Sequence, residues 1–464
     1  MEDAMVNART TLATENLKML QFIKGTDDYV YLKKNNGTES WLRGSMKSPT
    51  DTVFLTLNDV NRRMKVAGFD TLSSMPSIQF AKESWTVNTK GRKYAFNTSD
   101  NGFKIIVSKD IASMSNVEES SAGYVAYLDN FNLFIGTPHA ADRVTNDGSK
   151  DIVYASSVHR DEFGITKGTF WSNDGRKLAY YRMDQSMVKD YPIIDWTERP
   201  AQVENIKYPM AGDKSHEVTL WVYNVETAKN IKIQTTGPAE QYLTNVAWSP
   251  DDKYVYIAVL NREQNHMWLN QYDATSGNFL KTLFEETNDK YVEPLVPMLF
   301  VKNQPDHFIW QSRRDGWTHL YLYQADGKLL KQLTSGNWEV IDVKGFDDKG
   351  EHLFYVSNES SPISRNLFSL NLASGKIKSI TSGDNVHNTM MSTDGLFVLD
   401  NQSTISNPRT VELIDLKSGK KKLLLQAKNP LELYGTGRLN IFTIKNNEGT
   451  DLYCRMFRPV NFDS

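Results

Sequence analysis

Two patterns of apolar and polar positions alternate along this chain. In the first, an apolar strand, a turn and a second strand recur at Leu220 to Gln234, Met267 to Phe284, Leu320 to Thr334, Leu367 to Thr381 and Val411 to Leu425. Their turns, near Ala228, Gly277, Gly327, Gly375 and Gly419, lie 44 to 50 residues apart, the period of a four-stranded propeller blade. In the second, an aromatic or apolar strand meets an Asp/Asn/Gly turn and a strand ending in polar residues. Trp171 to Tyr181, Trp248 to Tyr256 and Phe346 to Tyr355 are the clear copies, with weaker ones from Trp85 and Met391. Two hairpins per period make one antiparallel blade, reversed at residues that tolerate positive φ. Strand-like stretches at Tyr29 to Lys33, Thr52 to Thr56 and Tyr124 to Ile135 leave room for two or three more blades, seven or eight in all.

Three regions break the period. Leu12, Leu17, Leu20 and Ile23 fall at mixed helical spacing, which predicts a short leading helix within residues 7–23, outside the blades. Residues 183–213, rich in X-Pro pairs, are too long for a blade turn and read as an extended insertion. The tail forms an apolar hairpin around Asn446 to Gly449. Ile441, Phe442, Ile444, Leu452 and Phe457 are expected to make one apolar face on it.

Composition narrows the function classes. A net charge of −3 provides no basic field for nucleic acid. No apolar run reaches the length of a membrane helix. The single cysteine, Cys454, rules out an intrachain disulfide and every two-thiolate metal site. The eight histidines are scattered without HExxH or paired helical spacing, so neither metal nor cofactor is expected. No serine lies in Gly-x-Ser-x-Gly, no phosphate loop occurs, and the Ser172-Asn-Asp-Gly turn matches a sialidase Asp box only loosely. Charged loop groups remain: Arg160-Asp161-Glu162, Arg313-Arg314-Asp315 and Asp306-His307. Each would serve equally as a solvated blade turn.

His159-Arg-Asp-Glu-Phe-Gly-Ile-Thr-Lys-Gly-Thr-Phe-Trp-Ser172, Leu178 to Asp184 and Tyr208-Pro-Met-Ala-Gly212 together resemble the N-terminal part of the dipeptidyl peptidase IV family of serine peptidases. Trp310 to Trp317, Gly336 to Val340, Arg365 to Phe368 and Arg455 to Phe462 extend the likeness, which runs from about residue 28 to the end. It is closest to the bacterial prolyl tripeptidyl peptidase branch.

The resemblance implies an all-β fold, an eight-bladed propeller of four-stranded antiparallel blades. The expected division is a lead-in helix over 1–27, the propeller over 28–436, and a hairpin over 437–464 crossing towards an α/β-hydrolase domain that this stretch lacks. The catalytic serine, aspartate and histidine of the family belong to that domain, so no catalytic residue is expected here and the chain alone should be inactive. The propeller's part is substrate gating and recognition of the substrate's free amino end, and Glu162 matches the ammonium-binding glutamate. Asp161 stands where the dipeptidyl pattern has a second, adjacent glutamate, and no arginine between Phe96 and Lys104 matches that branch. The length of the released peptide stays open between two residues and three. Implied partners are a peptide with a free amino end, the protein's own hydrolase domain and a second copy. Nucleic acid and a membrane span are not among them. The family implies a periplasmic or cell-surface setting, with the cytoplasm as the other choice. The alternative from another class is a free-standing propeller that binds a protein, with the tail hairpin as its docking edge. A propeller glycosidase lacks paired carboxylates at a recognisable spacing.

Overall fold

Each blade of a propeller is packed on both faces by its neighbours, so its middle strands must be apolar on both sides. Tyr254–Leu260, sequence YVYIAVL, is such a strand, buried from Val255 onward. Outer strands lie at the rim and are largely exposed, as in Lys229–Lys232 and Leu329–Gln332. The computed structural model describes residues 5–35, 37–89, 92–99 and 102–462. Within them lie eight antiparallel blades, at residues 18–56, 77–107, 115–143, 152–232, 242–287, 299–332, 340–379 and 386–426, each strand pairing with the next in sequence except in the fourth, which is interrupted twice. The protein is an eight-bladed β-propeller, with every hairpin anticipated above in place.

The repeated Trp-Ser turns have a local cause. Ser172 Oγ donates to Asp174 at 2.6 Å and accepts from the Lys177 amide at 2.9 Å. Ser249 with Asp251 and Ser392 with Asp394 repeat the arrangement. A hydroxyl and a carboxylate two residues apart thus satisfy the amides of a tight reversal, an ST/Asx turn, which accounts for the motif without any ligand.

The chain divides into two compact units. The first holds residues 1–85, 98–101 and 336–464. In it the last blade packs on the first through Phe22, Tyr29, Leu42, Leu399 and Leu413. Across that seam Lys422 Nζ lies 3.0 Å from Tyr29 OH and from the carbonyls of Ser45 and Ser48, and 3.3 Å from Asp51. The Tyr29 hydroxyl donates to Asp51 at 2.7 Å, and a Cβ on Gly44 would collide with both groups, so only glycine fits there. The second unit, residues 86–97 and 102–335, is built the same way. Tyr181, Leu220, Leu243 and Val255 fill the space between the blades at 152–232 and 242–287, and Ala258, Leu269, Phe308 and Trp310 the space between the next two.

Three expectations need correction. The leading helix within 7–23 is not formed: residues 7–13 are turns and Lys18–Phe22 is the first strand of the first blade, which begins ten residues earlier than the boundary at 28. Residues 1–4 lie outside the described residues. Tyr29–Asn35 offers an open ladder edge, and Leu17 and Leu20 pack against the first-to-last seam, so tertiary pairing overrides a weak helical spacing. A helix not anticipated above forms at Leu57–Val66, where Thr56 and Asp59 make a capping box ahead of buried Val60 and Met64. The tail hairpin, Arg438–Lys445 with Asp451–Arg458, is present. Its register sets Phe442, Ile444 and Leu452 on one face and Leu439, Ile441, Tyr453 and Phe457 on the other, so both faces are apolar instead of one.

Replacing Lys422 with Met keeps the stem and removes the charge, taking the ammonium donor from the Ser45 and Ser48 carbonyls and leaving Asp51 with the Tyr29 hydroxyl but no cation. Loss of about 2 kcal/mol is expected, from a charged hydrogen-bonding group removed at a partly buried site. Denaturant titration measures it; an unchanged midpoint would show that the apolar seam suffices alone.

Candidate functional site

The innermost strand of the fourth blade is interrupted. Ile152–Tyr154 and Thr169–Trp171 both pair with Lys177–Asp184, and residues 155–168 leave the sheet between them. Tyr181 holds both ends of this excursion: its carbonyl accepts from Ala155 at 2.9 Å and its amide donates to Gly168 at 3.0 Å. The ends come so close that a Cβ on Gly168 would lie 2.0 Å from the Ser156 carbonyl oxygen. The excursion is therefore an Ω-loop on a rigid neck.

At its crown His159, Arg160 and Asp161 have φ of 55°, 58° and 61°. Left-handed backbone costs a non-glycine residue about 1–2 kcal/mol, so three in a row persist only where the surroundings impose them. The anchors are visible. His159 is buried and its Nε2 accepts from the Leu243 amide at 3.2 Å. Phe163 is buried against Tyr242, with ring centroids 5.1 Å apart. Gly164, at φ 71°, lies so near Leu295 that a Cβ would stand 1.9 Å from its carbonyl oxygen. The Asp161 carboxylate accepts from Ser157 Oγ and so closes the turn from within.

Glu162 sits between these anchors with extended backbone, φ −71° and ψ 168°. It is exposed, and among the described residues its carboxylate has no hydrogen-bond or ion-pair partner. Of the two acidic groups singled out in the sequence, one is engaged internally and the other is presented on a fixed backbone. Arg160 turns to the insertion, its guanidinium 4.8 Å from the Tyr208 ring centroid. The insertion itself is a projecting hairpin, Asp190–Asp195 with Gln202–Lys207, beside a cleft of about 1120 Å³ whose walls include Arg160, Tyr154 and Glu204.

The Arg313-Arg314-Asp315 turn serves largely internal needs. Glu286 accepts from Trp310 Nε1 and Ser312 Oγ, each at 2.8 Å, and pairs with Arg314. The Arg314 guanidinium lies 4.3 Å from the Tyr321 ring centroid. Burial works against its charge, but Glu286 and Tyr323 outweigh that and hold it protonated. Asp315 accepts from Gln332 at 2.6 Å. These groups border a cavity of about 210 Å³ whose far wall, Tyr291 to Pro294, leads into the Leu295 that touches Gly164. The structure thus brings this turn and the Glu162 turn to one loop, whereas His307, paired with Asp306 at 3.0 Å, belongs to a strand on that blade. Sequence reading missed His216, Tyr242 and Arg262, which lie in or beside later strands and carry no local motif.

His159 and His216 form a buried pair, Nδ1 to Nε2 at 2.9 Å. Because His159 Nε2 accepts from Leu243, its ring proton is on Nδ1, and His216 Nε2 is the acceptor. Burial, then the nearby cationic groups, depress both: His216 to about 4 and His159 well below its ordinary range. The unfolded chain takes up these protons below about pH 6.5 while the folded chain does not, so the stability they contribute is complete above that pH. It is lost as pH falls towards about 4. Thermal unfolding across a pH series should show a shallower acid slope in His216→Gln than in the parent; parallel slopes would remove the pair from the pH dependence.

The fold has known counterparts. A family model described as the dipeptidyl peptidase IV (DPP IV) N-terminal region matches residues 72–409. Dipeptidyl peptidase 4 of Trichophyton equinum is 25% identical over 367 residues, 73% of this chain and 46% of its own length. A dipeptidyl-aminopeptidase B of Talaromyces marneffei, named as probable, is 28% identical over 268 residues, 52% of this chain and 30% of its own. Among solved structures, a "putative dipeptidyl aminopeptidase IV" from Bacteroides ovatus superimposes with a TM-score of 0.87 at 34% identity, covering 97% of this chain and 66% of that one. Dipeptidyl peptidase 4 of Porphyromonas gingivalis has the same fold, with a TM-score of 0.79 at 22% identity. The chain spans less than half the length of the curated relatives it matches. With the family model covering most of its residues and the blades complete, the chain belongs to the dipeptidyl peptidase IV N-terminal region family.

Proposed function

We propose that this propeller gates and reads peptide substrates for a post-proline serine exopeptidase, with Glu162 meeting the substrate's free α-ammonium group. The observation that carries this reading is an exposed carboxylate, unpartnered among the described residues, that directly follows a run of three left-handed residues in a turn held from four sides. An α-amino group with its pKa near about 7.7–8.0 is largely charged at neutral pH, and a carboxylate beside it favours that form further. The charge-assisted bond then measures distance from the amino end, and a blocked terminus leaves the carboxylate unpaired. Asp161 is already bonded to Ser157, which leaves one carboxylate for the ammonium and favours release of tripeptides, as in the prolyl tripeptidyl branch. Bond cleavage itself belongs to a hydrolase domain of the complete protein. The named relatives, all dipeptidyl peptidases or aminopeptidases, support a peptide as substrate.

In the complete enzyme, Glu162→Gln keeps the size and removes the charge. A loss of about 2–4 kcal/mol in kcat/KM is expected for Ala-Ala-Pro substrates with a free amino end, and little for their acetylated forms. Asp161→Asn should matter less. An unaltered preference for the free amino end in Glu162→Gln would remove this residue from the role.

The exposed apolar faces of the tail hairpin favour one other reading, a free-standing propeller that docks a protein through them. A reading frame continuing into Gly-x-Ser-x-Gly separates the two. Pairing of two copies is part of the peptidase proposal, and light scattering of the full-length protein tests it: twice the chain mass is expected, and the mass of one chain would refute it.

A further inference from the structure

The reading of Glu162 leaves the histidine pair without a task. His159 is itself the first left-handed residue of the turn, and its ring is the group that ties the turn to the next blade through the Leu243 amide. That amide is on the inner edge of Tyr242–Trp248, and the Leu243 carbonyl accepts from the Tyr181 hydroxyl at 2.8 Å. One residue of the neighbouring blade is therefore bonded both to the neck residue of the Ω-loop and to its crown. His216, just ahead of Glu217–Asn224, supplies the acceptor that fixes the His159 tautomer.

The charged and titratable groups facing the pair come from every element around it. Arg160 belongs to the same turn, Glu240 precedes Tyr242–Trp248, and Arg262 follows Tyr254–Leu260. The Tyr242 ring edge lies against His159, with centroids 4.9 Å apart, and the Tyr242 hydroxyl accepts from Arg262. The two arginines oppose a proton on the pair and Glu240 favours it.

We propose that His159 and His216 are positioning residues for Glu162, forming a neutral lock that holds the left-handed turn and that a single proton opens. The inference rests on the ammonium-binding reading of Glu162. Its logic is one of donors and acceptors. The chain Leu243 N–H to His159, then His159 N–H to His216, works only if each ring presents one bare nitrogen to it. A proton added to His159 Nε2 faces the Leu243 N–H. A proton added to His216 Nε2 faces the His159 N–H, and moving the latter to Nε2 only transfers the opposition to Leu243. Whichever ring is charged, one pair of donors meets head-on, in a site where an unmade hydrogen bond is costly. The strain at residues 159–161 then relaxes and Glu162 loses its fixed place.

The test uses the full-length peptidase with Ala-Ala-Pro nitroanilide and its acetylated form, from about pH 8 down to about pH 4. His216→Leu removes the acceptor. KM for the free-amine substrate should rise about tenfold, the equivalent of one buried hydrogen bond, with kcat and the acetylated substrate little changed. His216→Gln restores an acceptor that does not titrate. It should recover the parent KM at neutral pH and move the acid-side rise in KM to lower pH. If Glu162→Gln raises KM but His216→Leu does not, the lock is refuted and the ammonium reading stands. If neither raises it, both fall. Should His216→Leu fail to fold, an acid limb unmoved in His216→Gln refutes the lock by itself.

Discussion

The contacts of Tyr181 order everything around the candidate site. An inner strand that breaks off in mid-blade leaves a ladder edge unpaired, which is costly in a buried sheet. Here one residue of the adjacent strand bonds the chain as it leaves and again as it returns, so the sheet loses almost nothing. Its side chain then crosses to the next blade and occupies the Leu243 carbonyl. With its base fixed in this way, the Ω-loop can carry three consecutive left-handed residues that no isolated loop of this composition would keep. Strain at the crown is sustained by order at the neck.

This arrangement separates two jobs that acidic residues do in the same turn. Asp161 is spent on closing the loop through Ser157, and Glu162, one residue on, is not. The difference follows from backbone geometry: Asp161 is left-handed and points back along its own turn, while Glu162 is extended and followed by the buried Phe163. Similarly, Arg313 to Asp315 and the Ser-x-Asp reversals look chemical in one dimension and prove largely structural in three. Their partners Glu286, Gln332 and neighbouring amides are supplied by the same or adjacent hairpins.

What was legible in the sequence was what is local. The Ser-Asp bonds of the reversals at Ser172, Ser249 and Ser392 join residues within five positions, and the strands that follow them carry buried apolar runs, so turn chemistry and apolar runs declared the blades. The segment His159 to Gly164 could be picked out only by likeness, since nothing in its composition demands a left-handed turn. Its geometry is dictated by Leu243 and Leu295, which are far away in sequence and ordinary in type. The leading segment failed for the same reason: whether Lys18–Phe22 becomes helix or strand is decided by the edge of Tyr29–Asn35 and by the last blade, not by its own spacing.

The seam between the last blade and the first has a consequence for how the protein comes into being. Lys422 and Tyr29 are 393 positions apart, so the contact that joins them cannot form until nearly the whole chain has been synthesised. Blades made earlier can stack on one another as they emerge, but Phe22, Tyr29 and Leu42 must wait with their apolar side uncovered. During that interval the nascent molecule is unclosed and carries a sticky leading edge. Completion of the eighth blade is then the event that hides it, and a chain arrested before Lys422 keeps its first blade available to chaperones and to other arrested copies.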